Sequence, residues 1–149
     1  MSVTHNLPVY AFSLGGMTPE FTMLALAAAL GLFQLLIAAR AGNGQRGLKW
    51  NVGARDEAAP PVGKVAARLE RAARNFMETF PFFAVAVILC ALNGRHSWAT
   101  VWGAQIYVVA RLIYLPLYGF GVPALRTLVW LVATLAIILL LVALFYPAL

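Results

Sequence analysis

Residues 68–83 read Arg-Leu-Glu-Arg-Ala-Ala-Arg-Asn-Phe-Met-Glu-Thr-Phe-Pro-Phe-Phe and carry a charged segment directly into an apolar one, which continues to Leu92. On a helix, residues spaced 3, 4 and 3 apart form one stripe. Here that stripe consists of Arg68, Arg71, Asn75 and Glu78. Charges carried into a bilayer are costly and tend to be functional. The stripe therefore predicts a site at the membrane surface for a small ligand that bears both carboxylates and an ammonium group.

The composition of the chain points to a membrane protein. Of its 149 residues, 62% are hydrophobic and 11% are charged, and the mean hydropathy is +0.83. Soluble domains have about 25% charged residues. We therefore expect residues 1–149 to form a single all-α integral membrane domain. The single cysteine, Cys90, lies in an apolar run, where a buried thiol is an inert core residue.

Four segments are long and apolar enough to span a bilayer, which takes about 20 residues. The predicted helices cover about residues 18–40, 62–93, 97–119 and 123–147, with a loop at 41–61. Thr18 and Pro19 suit the start of the first helix, and Gly42 and Gly44 are expected to end it after Arg40. Pro81 is expected to kink the second. The result is a four-helix bundle with up-down topology.

The basic residues predict the orientation. Eight of the eleven lie between Arg40 and Arg74, flanked by apolar spans. This distribution argues against nucleic acid as the partner, and it is typical of a membrane protein with one basic side. With four spans, the first and third loops share that side. We expect it to face the cytoplasm, with both termini on the opposite side.

All four spans bring polar residues to this basic side. On the third span, Arg111, Tyr114 and Tyr118 form a second stripe that can hydrogen-bond an anionic ligand or a thiolate. Alternatively, the tyrosines are interfacial anchors and Arg111 pairs with Glu78. Local pairs at i and i+4 are also possible on the second span, where Arg74 has an acidic residue four positions away on either side. His5 and His96 are isolated, so no metal site is predicted.

Three motifs together resemble those of a known family. They are Arg-x-x-Arg-x-x-Arg-Asn-x-x-Glu-x-x-Pro from Arg68, Arg-x-x-Tyr-x-x-x-Tyr from Arg111, and the arginine that opens the fourth span, Arg126. In this order they resemble the MAPEG family, the membrane-associated proteins in eicosanoid and glutathione metabolism, over about residues 18–147. Arg55-Asp56-Glu57, before the second span, is similar to the bacterial members.

The resemblance implies a homotrimer in the bacterial inner membrane, with glutathione bound as co-substrate between neighbouring subunits near the cytoplasmic face. It implies no metal, and a lipophilic electrophile as the second substrate. The residues that match glutathione-binding positions are Arg71, Arg74, Asn75, Glu78, Arg111, Tyr114 and Arg40. Arg126 and Tyr118 are the expected catalytic residues. Thr127 and Trp130 stand where the prostaglandin enzyme of the family has serine and tyrosine.

The charges of glutathione match these residues. Arginines can bind its two carboxylates, and Glu78 can bind its ammonium group. The leading interpretation is a glutathione-dependent transferase or peroxidase. Two alternatives stay open: a non-catalytic relative that binds a lipid or another anion, and an accessory subunit of a larger membrane complex. The joint presence of Glu78, Arg111, Tyr118 and Arg126 favours the enzyme.

Overall fold

The computed structural model describes residues 12–54, 56 and 58–146, and every regular element within them is a helix. In chain order the elements are α1 (Pro19–Arg46), α2 (Leu48–Val52), α3 (Lys64–Leu92), α4 (Trp98–Phe120) and α5 (Pro123–Phe145). All but the short α2 are long and apolar enough to cross a membrane. The predicted all-α, four-helix membrane fold is confirmed. The predicted helix end at residue 147, and Arg55 and Glu57, lie outside the described residues.

Local sequence explains where the long helices begin. The Thr18 side chain accepts a hydrogen bond from the Phe21 amide at 3.3 Å and Pro19 occupies the first turn of α1, as the sequence predicts. Ser97 and Thr100 form a reciprocal capping box at the start of α4. At the other end of α4, Gly121 adopts a φ of 77°, a left-handed conformation that glycine tolerates best. These signals fix the tight α4–α5 turn.

The first helix is longer than the sequence predicts. It continues to Arg46 instead of ending at Arg40, and α2 lies within the predicted loop 41–61. A tertiary contact accounts for the extra length of α1. Gly42 packs directly against the Glu70 carboxylate of α3, so closely that a Cβ atom at this position would collide with it. Arg46 then forms a two-point ion pair with that carboxylate, with Nη2 donating to Oε2 at 2.9 Å. The glycine serves close packing here and does not end the helix.

Pro81, which is predicted to kink the second span, lies inside α3, and α3 continues as a helix through it. α4 likewise contains Pro116 within its helix. In both helices the proline removes one backbone hydrogen bond without ending the element. A kink at Pro81 stays a prediction.

The helices alternate in direction, so the bundle has two chemically distinct ends. At the end where α1 and α4 finish and α3 and α5 begin, called the basic end below, Arg68 Nη1 donates to the Gly119 carbonyl at 3.3 Å. At the opposite end, the buried Glu20 carboxylate accepts from Thr100 Oγ1 at 2.6 Å and lies 3.5 Å from His96 Nδ1. These contacts tie α3 to α4 and α1 to α4.

Between the two ends, the core consists of small side chains and a few large rings. Ala27, Ala86 and Ala104 are fully buried, which lets helices approach closely, as is typical of membrane bundles. Phe83 of α3 stacks on Tyr107 of α4 with ring centroids 4.0 Å apart. The outer surface is formed largely by exposed apolar side chains, and lipid is their matching environment.

Candidate functional site

A buried arginine occupies the middle of α4. Arg111 is 1% exposed, and its guanidinium donates from Nη1 to Asn75 Oδ1 at 2.9 Å and from Nη2 to Thr79 Oγ1. It also lies over the rings of Tyr107 and Tyr114, at 5.5 and 5.4 Å from their centroids. A buried charge needs such partners. The neutral amide, hydroxyl and aromatic faces therefore hold Arg111 in place without cancelling its charge.

A second cationic cluster lies nearer the basic end. The Arg126 guanidinium, in the first turn of α5, lies 4.5 Å from the centroid of the Tyr118 ring, and that of Arg71 lies 6.0 Å from the same ring. The Tyr118 ring lies 5.4 Å from that of Tyr114. The tyrosine pair thus links the buried Arg111 to the two more accessible arginines.

A cavity of about 190 Å³ joins these clusters. Its lining comes from α3, α4 and the start of α5 and consists of Asn75, Tyr114, Tyr118, Arg126, Thr127 and Trp130. The cavity is small compared with ligand pockets of about 300–1,000 Å³. It has room for one functional group of a ligand, while the rest of the ligand would lie over the exposed side chains at its mouth.

The structure does not bring every predicted site residue to this cavity. Arg74 lies on another face of α3, where it lines a cleft of about 570 Å³ between α1 and α3, together with Arg46 and Glu70. Arg40 lines a separate depression near the end of α1. Glu78 is exposed and does not line the cavity. Within one subunit, therefore, Arg74 and Arg40 are separated from Arg126 and the tyrosines.

Two predicted side-chain pairings are replaced by others. Arg111 binds Asn75 and Thr79, where the sequence suggested Glu78 as its partner. Glu70 pairs with Arg46 of α1, where the sequence suggested a local pair with Arg74. In both cases the partner comes from a different helix, which spacing along one helix cannot show.

Three residues that partner Arg111 or Glu70 were not identified from the sequence. Tyr107 lies four residues before Arg111 on the same stripe, so extending that stripe by one turn would have found it. Thr79 lies four residues after Asn75, but an isolated threonine in an apolar helix gives no distinctive signal. Arg46 was placed in a loop, which hid its pairing with α3.

The remaining reactive groups do not form a competing site. Cys90 is 1% exposed and its thiol donates to the Leu140 carbonyl at 3.5 Å, as expected of a core residue. Among the described residues, no group of three histidines, cysteines and acidic residues could hold a metal ion. The chemistry of the basic end is therefore that of arginine, tyrosine and amide groups beside a small cavity. Arginine, tyrosine and amide groups of this kind can donate hydrogen bonds to an anion.

These observations define a four-span integral membrane protein with a small cavity, lined by arginine, tyrosine and amide groups, toward one end of its helices. The model of the MAPEG family matches residues 23–146, and the chain belongs to that family. Its members include glutathione transferases and peroxidases as well as non-catalytic proteins. No curated protein matches the chain.

Proposed function

We propose that the protein is a glutathione-dependent membrane transferase or peroxidase that activates the glutathione thiol for attack on lipophilic electrophiles. The observation that carries the proposal is the position of Arg126, which lines the small cavity and lies against Tyr118. A free thiol has a pKa of about 8.5, so little of it is thiolate at neutral pH. A guanidinium in a partly buried site stabilises the thiolate.

The surroundings of the cavity suit the rest of the tripeptide. Arg71 is exposed at the basic end and contacts the Tyr118 ring, so it can bind a carboxylate. Glu78 is exposed on the same helix and can bind the ammonium group. The cavity itself accepts one end of the ligand, and we assign it the thiol.

The proposed transferase step is a nucleophilic substitution. The thiol proton leaves to solvent, and the thiolate sulfur forms a bond to the electrophilic carbon. The bond from that carbon to its leaving group breaks, and a halide or similar anion departs with the electron pair. With a lipid hydroperoxide, the thiolate sulfur instead attacks the terminal oxygen, the O–O bond breaks, and the departing alkoxide takes a proton from solvent to leave as the alcohol. A second glutathione then converts the sulfenic acid into glutathione disulfide and water.

Assembly of several subunits would allow Arg74 and Arg40 to contribute to a binding site. Arg74 and Arg40 lie outside the cavity of their own subunit, and Arg74 is exposed. In the homotrimer that the family resemblance implies, these residues would face the site of a neighbouring subunit. Cross-linking in detergent that gives no species beyond the monomer would contradict this assembly.

We further propose that the protein lies in a bacterial inner membrane with its basic end toward the cytoplasm. The support is the concentration of arginines and lysines between Arg40 and Arg74, since cytoplasmic loops carry the excess of positive charge. A reporter fused after Leu149 is expected to be active on the periplasmic side. Activity of that fusion in the cytoplasm would reverse the orientation.

Glutathione should stabilise the purified protein against heat. A ligand present at about 100 times its Kd raises the free energy of unfolding by about 2.7 kcal/mol, which gives a clear upward shift in Tm. The measurement is thermal unfolding in detergent with and without millimolar glutathione, with glutathione disulfide as a control for ionic strength. A Tm that does not respond would favour a non-catalytic relative or an accessory subunit.

A further inference from the structure

The orientation of one amide determines what the cavity can bind. Asn75 Oδ1 accepts a hydrogen bond from Arg111 Nη1 at 2.9 Å. A guanidinium has donors and no acceptor, so the oxygen of the Asn75 amide, and not its nitrogen, must face it. Asn75 also lines the cavity. Its Nδ2 amino group, with two N–H donors, is therefore the part of the amide left for a ligand.

Two other lining residues, Arg126 and Trp130, likewise offer the cavity donors. Arg126 has donors alone, and the buried indole nitrogen of Trp130 has no hydrogen-bond partner. Thr127 is the exception, because it donates its proton to the Pro123 carbonyl at 3.0 Å and so offers the cavity acceptor lone pairs alone. The six residues that line the cavity, all within the described part of the chain, include no carboxylate. A ligand atom in this cavity therefore meets mainly donors and a positive charge, which suit an anion.

Arg111 itself is not placed to touch the ligand. It is 1% exposed and is absent from the cavity lining. Thr79 accepts its second hydrogen bond, and the rings of Tyr107 and Tyr114 flank it. Arg111 therefore contacts the cavity lining through its hydrogen bond to Asn75 and through the ring of Tyr114, and of these two contacts only the hydrogen bond to Asn75 orients a polar group.

We infer that Arg111 is a positioning residue: it fixes the Asn75 amide so that its Nδ2 donates to an anionic group of the ligand, a thiolate or a carboxylate. The sequence predicted instead that Arg111 binds the ligand directly. The identity of the ligand as glutathione rests on the proposed function. The selection of an anion follows from the hydrogen bonds of the site.

The sharpest test is Asn75→Asp, which keeps the shape of the side chain and replaces the Nδ2 donor by an acceptor. The new carboxylate can pair with Arg111, so we expect no fall in Tm. Glutathione Kd should rise about 10-fold or more, because an acceptor now faces the anion. The matched control is Asn93→Asp at the exposed end of α3, which makes the same chemical change far from the cavity and should leave Kd unchanged.

S-methylglutathione distinguishes the two possible anions, since it has both carboxylates and no ionisable thiol. If Asn75 serves the thiolate, Asn75→Asp weakens glutathione much more than S-methylglutathione. If it serves a carboxylate, both ligands weaken equally. An Asn75→Asp protein that folds and binds both ligands within about twofold of the wild type would overturn the inference. Failure of the wild type to bind glutathione would instead contradict the proposed function.

A second pair of variants tests the positioning role if Asn75→Asp does not fold. Thr79→Val removes one acceptor of Arg111 and leaves Asn75 unchanged, whereas Thr79→Ser retains the hydroxyl. We expect Thr79→Val to weaken glutathione several-fold at unchanged ionic strength, and Thr79→Ser to restore the wild-type Kd. Equal binding by Thr79→Val and the wild type would show that Arg111 does not act through its orientation.

Discussion

Arg126→Ala should lower the turnover of glutathione with an electrophilic aryl halide about 100-fold or more, as expected when a positioned group that stabilises an anion is removed. Among the described residues, Arg126 is the one arginine in the cavity lining, and it lies 4.5 Å from the centroid of the Tyr118 ring. Without it, the thiol would remain mostly protonated at neutral pH. The measurement is initial rate at saturating glutathione in detergent.

Two variants make this result specific. Arg126→Lys keeps the positive charge, so we expect partial activity, although lysine lacks the planar fork of donors. Lys49→Ala removes an exposed charge of α2 on the same side of the bundle and should have almost no effect. An Arg126→Ala protein with wild-type turnover would remove Arg126 from the mechanism.

The second large effect concerns stability. Phe83 is fully buried and stacks on Tyr107 at 4.0 Å, and the adjacent Phe82 is 65% exposed. Phe83→Ala should lower the free energy of unfolding by about 3 kcal/mol, because it leaves a cavity and removes an aromatic contact. This loss is at the lower end of the range for Phe→Ala substitutions in the cores of soluble proteins. We expect the lower end because lipid, unlike water, is itself apolar.

Phe82→Ala is the matched control for this prediction. It deletes the same side chain one residue away, where lipid can fill the space, and should change stability by less than about 0.5 kcal/mol. The comparison is reversible unfolding of both variants in the same detergent. Equal losses of stability would contradict the assignment of these two residues to the core and the lipid-facing surface.

The sequence predicted the long helices well because their signals are local. Apolar length, the Thr18 cap and the Gly121 turn depend on neighbouring residues and need no knowledge of the fold. The end of α1 depends on a distant residue instead. Gly42 reads as a helix breaker in isolation, but it packs against Glu70, and Arg46 pairs with the same carboxylate. A local rule cannot include that contact.

The candidate site was predictable to the extent that it follows helix faces. The stripe that begins at Arg111 contributes Tyr114 and Tyr118 to the cavity lining, and Asn75 of α3 and Arg126 of α5 lie on two further helices. Periodicity assigns a residue to a face but does not say which helix that face meets. Glu78 was grouped with Asn75 by helix periodicity and Arg74 by the family resemblance, although neither residue lines the cavity.

The role of Arg111 shows the same limit in chemical terms. An arginine within an apolar span predicts a functional residue, and the sequence suggested direct contact with the ligand. The structure instead encloses its guanidinium between Asn75, Thr79 and two tyrosine rings. Both hydrogen bonds of Arg111 run from α4 to α3, and in the role that we propose their direction determines which atom of the Asn75 amide remains for the ligand.

The central claim is that this protein binds glutathione and ionises its thiol at the basic end. The most direct measurement is the ultraviolet difference absorbance of the thiolate when glutathione is added to the wild-type protein at neutral pH. We expect a saturable thiolate signal that is much reduced in Arg126→Ala. No thiolate signal from the folded wild-type protein at saturating glutathione would contradict it.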